Sequence, residues 1–191
     1  VMLVASCASE KHKIGFSQCS TGPWRDQMNR EMRSEVVMNE DIEFIIKSSQ
    51  DDTQQQIKDI RQMVDDGIEV LIVSPGNVKD ITPEIEKVHR KGIPVVMIDR
   101  KAYTKEYDAY IAGDNEEVGF MAASYIASKR KGGRIIELQG DIKMSPCQDR
   151  HRGFIQQLQK MGLDYESYAT GWPIREENDT VNEIISGTDE E

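Results

Sequence analysis

The sequence is poor in what nucleic-acid binding, membrane spanning or metal chemistry would require. Its 24 lysines and arginines are outnumbered by 34 aspartates and glutamates, a formal net charge of −10, and they form no run longer than three. A phosphate-contacting surface needs a basic stripe, so nucleic acid is excluded as a partner. No apolar stretch is long enough to span a bilayer. The three histidines (His12, His89, His151) and three cysteines (Cys7, Cys19, Cys147) stand apart from one another, and neither set has metal-ligand spacing. A Cys19–Cys147 bridge is open to that pair, with free thiols the default. No Gly-x-Gly-x-x-Gly turn, phosphate loop or Gly-x-Ser-x-Gly elbow occurs, so no cofactor is implied.

What is present begins with an apolar run, Val1-Met2-Leu3-Val4-Ala5-Ser6-Cys7, followed by polar residues. It resembles the tail of a secretory signal, and Val4-Ala5-Ser6-Cys7 resembles a lipoprotein cleavage box. Residues 1–11 are therefore expected to be a residual export leader or disordered, with Cys7 a lipidation candidate and a possible membrane anchor.

From Ile14 onward short apolar strands alternate with amphipathic helices. Strands are expected at Ile14–Ser17, Ile42–Ile46, Val70–Val73, Pro94–Ile98 and Tyr110–Ala112. Between them fall helices at Trp24–Met38, Thr53–Val64 and Pro83–Arg90. Ile57, Ile60 and Val64 recur at spacings of three and four, with Asp52 or Thr53 the expected cap and Gly67 the stop. Val70-Leu71-Ile72-Val73 reads as a strand buried on both faces. After Gly113 the pattern restarts: helix Glu116–Lys129, strand Arg134–Leu138, helix Gln148–Met161, strand Asp164–Ala169 and helix Glu176–Ile185. Strands separated by helices mean right-handed βαβ units and parallel sheets. The expected architecture is α/β, with a first lobe at 12–112, a hinge at Gly113 and a second lobe at 113–191. Two strands are too few to cover three helices, so the second lobe is expected to be incomplete and the chain a fragment.

In open parallel sheets, ligands bind beyond the carboxyl ends of the strands. Those ends read Gln18-Cys19-Ser20, Ser49-Gln50-Asp51, Ser74, Asp99-Arg100, Asp114-Asn115 and Gln139. Each is polar after an apolar strand body. Loop residues after any strand tend to be polar and also serve as caps; the weight lies in their convergence on one edge. Asp99-Arg100 places a carboxylate beside a guanidinium, a pair that can grip adjacent hydroxyls of a sugar. Trp24, in the first strand-to-helix loop, offers a flat apolar face to a sugar ring.

The runs Val95-Val96-Met97-Ile98-Asp99-Arg100, Ile111-Ala112-Gly113-Asp114-Asn115, Ile136-Glu137-Leu138-Gln139-Gly140 and Asp149-Arg150-His151-Arg152-Gly153-Phe154 resemble the pentose/hexose-binding family of type I periplasmic binding proteins. The opening Ile14-Gly15-Phe16-Ser17-Gln18-Cys19-Ser20, with Trp24-Arg25-Asp26, is similar to the extracytoplasmic sensor domains of bacterial hybrid two-component regulators. The resemblance implies a periplasmic-binding-protein-like fold of two Rossmann-like lobes that close on a saccharide by hinge motion. It implies sugar contacts from Asp99, Arg100 and Arg150, and from Asp114 or Asn115 at the hinge crossing. Ser74 stands where ribose-binding relatives have Asn. Trp24 matches one of two sandwiching aromatics, and Arg25 stands where the second would be. Trp172 matches a second-lobe aromatic. Gln18 and Ser20 complete the candidate set.

The expected function is periplasmic binding of a monosaccharide or small saccharide as the input of a two-component system, without catalysis. The partner would be a histidine kinase region. The alternative is the solute-binding protein of a sugar ABC transporter, whose partner is a sugar permease. The effector domain of a cytoplasmic repressor comes third. It needs a helix-turn-helix ahead of its first strand, and only thirteen residues precede Ile14. An enzyme is not expected, because Asp99 as a base has no acid or nucleophile beside it.

Overall fold

Parallel strands need crossover helices, and the helices here are set by local caps and core-facing stripes. In the computed structural model, which describes residues 11–170 and 174–186, the first strand, β1 (His12–Gln18), is followed by α1 (Pro23–Val37), β2 (Ile42–Ser48), α2 (Thr53–Asp65) and β3 (Val70–Ser74). Then come α3 (Val78–Arg90), β4 (Val95–Ile98) and β5 (Ala109–Ile111). These five strands form one sheet in the order β2-β1-β3-β4-β5, with every pairing parallel. The chain steps one way from β1 to β2, then the other way from β2 across β1 to β3 and on to β4. Right-handed crossovers therefore put α1 on one face and α2 and α3 on the other, and they open a crevice at the carboxyl ends of β1 and β3.

Asp52 caps α2, its carboxylate accepting from the Gln54 and Gln55 amides at 2.8 and 3.0 Å. Gly67, at φ +82°, turns the chain out of that helix in a left-handed conformation that side chains resist. The α2 and α3 stripes fill the core with Ile57, Ile60, Met63, Ile81, Ile85 and Val88 against Leu71, Val73, Val95 and Met97. Gly15 on β1 lets this layer close, since a Cβ there would lie 3.0 Å from both Met63 and Ile68.

Two helix starts differ from the sequence expectation. Helix α3 begins at Val78 and not at Pro83, because Asn77 caps it through the Lys79 and Asp80 amides. Pro83 then sits inside the helix, where it forfeits one backbone hydrogen bond. The extra turn buries Val78 and Ile81 on the stripe of Ile85 and Val88. Helix α5 (Ser145–Lys160) likewise starts earlier than Gln148, with Pro146 in its first turn, where a missing N–H costs nothing.

The chain divides into two compact units between Ile111 and Ala112. The second holds α4 (Asn115–Lys129), β6 (Ile136–Leu138), α5, β7 (Glu166–Tyr168) and α6 (Ile174–Ser186). Its strands pair in parallel as a two-stranded sheet. Helices α4 and α5 pack along each other with Gly119 and Gly153 at the crossing. A Cβ on Gly119 would lie 2.0 Å from the Arg150 carbonyl oxygen, and one on Gly153 would lie 1.9 Å from that of Glu116. Only glycine permits so close an approach. The small core there is Ala123, Ile135, Phe154 and Leu158.

Candidate functional site

The carboxyl edge of the first unit's sheet is built from backbone ties before any side chain is considered. In register, Gln18 at the end of β1 faces Ser48 of β2 on one side and Ser74 of β3 on the other. Beyond the ladder, the Cys19 amide donates to the Ser74 carbonyl at 3.1 Å and the Ser49 amide to that of Gln18 at 3.1 Å. The Ser49 hydroxyl donates to the Cys19 carbonyl at 2.9 Å. The loop after β1 is thus fixed to both neighbouring strand ends.

Among the described residues, three non-glycine positions have positive φ: Gln50 (+50°), Asp51 (+67°) and Asp99 (+61°). All three lie on this edge, after β2 and β4. At Asp99 the Arg100 amide reaches back to the Ile98 carbonyl at 2.6 Å, the hydrogen bond of a three-residue γ-turn with its centre at positive φ, a strained form. The Asp99 amide continues the ladder to Ile111 at 2.9 Å, and the Tyr110 hydroxyl donates to the Asp99 carbonyl at 3.2 Å. Backbone strain concentrated at one edge and held by such ties is characteristic of functional positions.

The turn delivers the Asp99 carboxylate to Arg25, a residue 74 positions away on the first turns of α1. Arg25 Nη2 donates to Asp99 Oδ2 at 2.8 Å. Arg25 Nε donates to the Ser20 hydroxyl at 3.3 Å and Nη2 approaches the Cys19 sulfur at 3.6 Å. The arginine is only 4% exposed, and Arg100 Nε stands 3.8 Å from the same Asp99 oxygen. The fork expected from the neighbours Asp99 and Arg100 is therefore a three-residue cluster in which Arg25 holds the carboxylate. Trp24 is 59% exposed, and the Arg25 guanidinium carbon lies 5.0 Å from its ring centroid, a cation–π contact.

Three buried polar atoms on this edge have no hydrogen-bond partner among the described residues: Gln18 Oε1, Arg25 Nη1 and Ser74 Oγ. Buried polar groups are almost always paired, so each such atom calls for an explanation. They supply one acceptor, one donor and one hydroxyl able to do either, a set that fits the hydroxyl groups of a polyol. The hydroxyl of Ser17, one residue before Gln18, likewise has no partner among the described residues.

The second unit brings together some of its candidates and not others. Asp114 accepts from the Glu117 amide at 3.0 Å as the cap of α4. Asn115 donates to the Gly113 carbonyl at 3.2 Å and accepts from Arg150 Nη1. Arg150 Nη2 also approaches the Cys147 sulfur at 3.6 Å, so in each unit a candidate arginine lies against a buried cysteine. Gly113 has no positive φ. Trp172 and Cys7 lie outside the described residues.

Sequence reasoning missed two features. One is a polar group in the middle of β6: Glu137 Oε2 pairs with His151 Nδ1 at 2.7 Å and accepts from the Ser167 hydroxyl at 2.6 Å. The other is Gln56, buried on α2 beneath the candidate edge. Its signal was available, because it falls on the apolar stripe of Ile57, Ile60 and Met63, where a polar residue breaks the pattern.

A doubly wound parallel sheet with a polar, strained edge at its switch point defines an α/β small-molecule-binding domain. More particularly, the chain belongs to the periplasmic binding protein domain family, which it matches over residues 14–190, as its sequence motifs implied. It is 31% identical to the ribose import binding protein RbsB of Bacillus subtilis over 133 residues, 65% of this chain and 44% of that protein. It is 26% identical to the galactofuranose-binding protein YtfQ of Escherichia coli over 151 residues, 76% and 47% of the two chains. Among solved structures it resembles the fructose-binding periplasmic domain of hybrid two-component system BT1754, with a TM-score of 0.77 and 36% identity, covering 82% of this chain and 53% of that one. A myo-inositol-bound solute-binding protein from Bacillus halodurans, 20% identical, shares the fold at a TM-score of 0.85, with coverages of 95% and 65%. The chain thus spans about half the length of the curated relatives it matches.

Proposed function

We propose that this chain is part of an extracytoplasmic saccharide-binding module, and that it takes a monosaccharide at the carboxyl edge of its first unit without catalysing a reaction. The observation that carries this reading is the Arg25–Asp99 cluster beside the unpartnered Gln18 Oε1, Arg25 Nη1 and Ser74 Oγ. A sugar hydroxyl can donate to Gln18, accept from Arg25 and do either with Ser74. The exposed Trp24 ring stands ready to cover an apolar ring face. The structure with 36% identity is a fructose-binding periplasmic domain of a hybrid two-component system, which makes a ketose such as fructose the first ligand to test and a histidine kinase the expected recipient of the signal. Asn115, Arg150 and Trp172 are proposed as further sugar contacts, with Gly113 as hinge, and Cys7 as the site of a lipid anchor.

Calorimetric titration with D-fructose, D-ribose, D-xylose and D-galactose tests the reading. Saturable binding of one of them that Arg25→Met weakens by about tenfold or more supports it. Saturable binding unaffected by Arg25→Met and Ser74→Ala places the site elsewhere. Labelled palmitate incorporated in wild type and lost in Cys7→Ser tests the anchor.

The second reading, a solute-binding protein that delivers sugar to a permease, is favoured by the 31% identity to a ribose import binding protein. The two readings share this site and differ in the partner, so reconstitution with a permease or a kinase region separates them.

A further inference from the structure

Gln56 is fully buried (0% exposed) on the core-facing stripe of α2, where its neighbours are Ile57, Ile60 and Met63. Burying an amide is unfavourable unless its hydrogen bonds are made. This one directs its bonds to the candidate edge. Its Nε2 donates to the Ser74 carbonyl at 2.9 Å and reaches that of Ser17 at 3.5 Å. Its Oε1 accepts from the Gly76 amide at 2.8 Å. The Ser74 carbonyl thus receives two donors, Gln56 Nε2 and the Cys19 amide, while its own hydroxyl has no partner among the described residues.

Thr53, about one turn earlier on α2, completes the clamp by accepting from the Asn77 amide at 2.9 Å. The turn between β3 and α3 is pressed so closely onto α2 that a Cβ on Gly76 would lie 2.6 Å from Thr53 Oγ1 and 3.1 Å from Gln56 Oε1.

We infer that Gln56 is a positioning residue for the saccharide site: it fixes the end of β3 and the following turn against α2, and so sets where the Ser74 hydroxyl stands. It acts through Ser74 and does not itself touch ligand. This rests on the reading of the edge as a sugar site. A merely structural amide would satisfy itself anywhere in the core; this one joins the ends of β1 and β3 to the turn beyond them.

The test is a double-mutant cycle on the full chain, with affinity for D-fructose, or whichever sugar of the panel binds, measured by NMR titration. Gln56→Met keeps the shape of the side chain and removes its hydrogen bonds. It is expected to weaken binding by about tenfold, and to have less than about a twofold further effect in the Ser74→Ala background. Full additivity with Ser74→Ala, or unchanged affinity in Gln56→Met, overturns the inference. If the methionine variant does not fold, Gln56→Leu, which also removes both sets of hydrogen bonds and suits the apolar stripe of Ile57, Ile60 and Met63, takes its place in both measurements.

Amide exchange in the sugar-free protein keeps the two claims separate. Gln56→Met is expected to accelerate exchange at Gly76 by about tenfold or more, and unchanged protection there overturns the positioning role. Absence of binding by every sugar, with the Gly76 amide released as expected, rejects the proposed site and leaves the clamp standing.

Discussion

Arg25 and Asp99 are unequal partners. The guanidinium is buried and the Asp99 side chain is 28% exposed, so removing one member does not mirror removing the other. Asp99→Ala leaves a buried cation without its carboxylate. Arg25→Met leaves a carboxylate that water reaches and that Arg100 still faces at 3.8 Å. The alanine variant is therefore expected to lose on the order of 2–3 kcal/mol, less than a wholly buried pair would cost, and the methionine variant clearly less. Urea denaturation of both checks this, and equal losses would contradict it. Asp99→Asn is expected to fall between them, because asparagine tolerates the positive φ at this position better than alanine does. The strand-end positions Gln18, Ser74, Asp99 and Arg100 were legible in the sequence, since Ser74 and Asp99 are each the first polar residue after an apolar run, and Gln18 and Arg100 come second, after Ser17 and Asp99. The Arg25–Asp99 pairing was not, because nothing local records a contact across 74 residues.

At the scale of elements, the second unit is held by two features that invite substitution. The crossing of α4 and α5 depends on Gly119 and Gly153. Alanine at either is expected to force the helices apart at a cost of about 1–3 kcal/mol or more, seen as a lower denaturation midpoint. A midpoint unchanged in both variants would mean that the helices do not approach this closely. The two strands of this unit are tied by Arg134, which donates to both Glu166 oxygens at 2.7 and 2.6 Å. These bonds, with a further one from the Tyr168 hydroxyl, hold the Glu166 carboxyl down at about 2 against its usual 4.5. A carboxyl depressed in the folded state lends stability that is present above its unfolded value and is lost as pH falls toward the folded one. This tie is therefore expected to weaken between about pH 4.5 and pH 2. Arg134→Gln should flatten the acid limb of the stability profile in that window; an unaltered limb would show that the exposed pair contributes nothing. Helix positions were readable from spacing, and so was the start of α2 at Thr53 behind Asp52, but the starts of α3 and α5 were not. Asn77 reads as a loop residue until its side chain is seen to cap α3, and Pro83 reads as a beginning although it lies inside.

Across the whole molecule, the order β2-β1-β3-β4-β5 explains why polar residues far apart in sequence meet. Reversal of direction after β2 opens the crevice between the ends of β1 and β3, where Gln18 and Ser74 stand side by side. Parallel βαβ topology could be read from the alternation of apolar runs and amphipathic helices, and family membership from the Asp99-Arg100 and Arg150 motifs. Gln56 escaped notice because it lies in the run Gln54-Gln55-Gln56, where its place on the stripe of Ile57, Ile60 and Met63 is all that sets it apart in the sequence. Titration of the isotopically labelled chain with D-fructose, followed by amide and arginine side-chain NMR signals, addresses the sugar site most directly and registers weak binding. Saturable shifts confined to Gln18–Ser20, the Arg25 side chain, Ser74–Gly76 and Asp99–Arg100 are the expected result, for fructose or another sugar of the panel. Saturable shifts that leave these residues untouched, or no shifts with any sugar, would contradict a saccharide site on this edge.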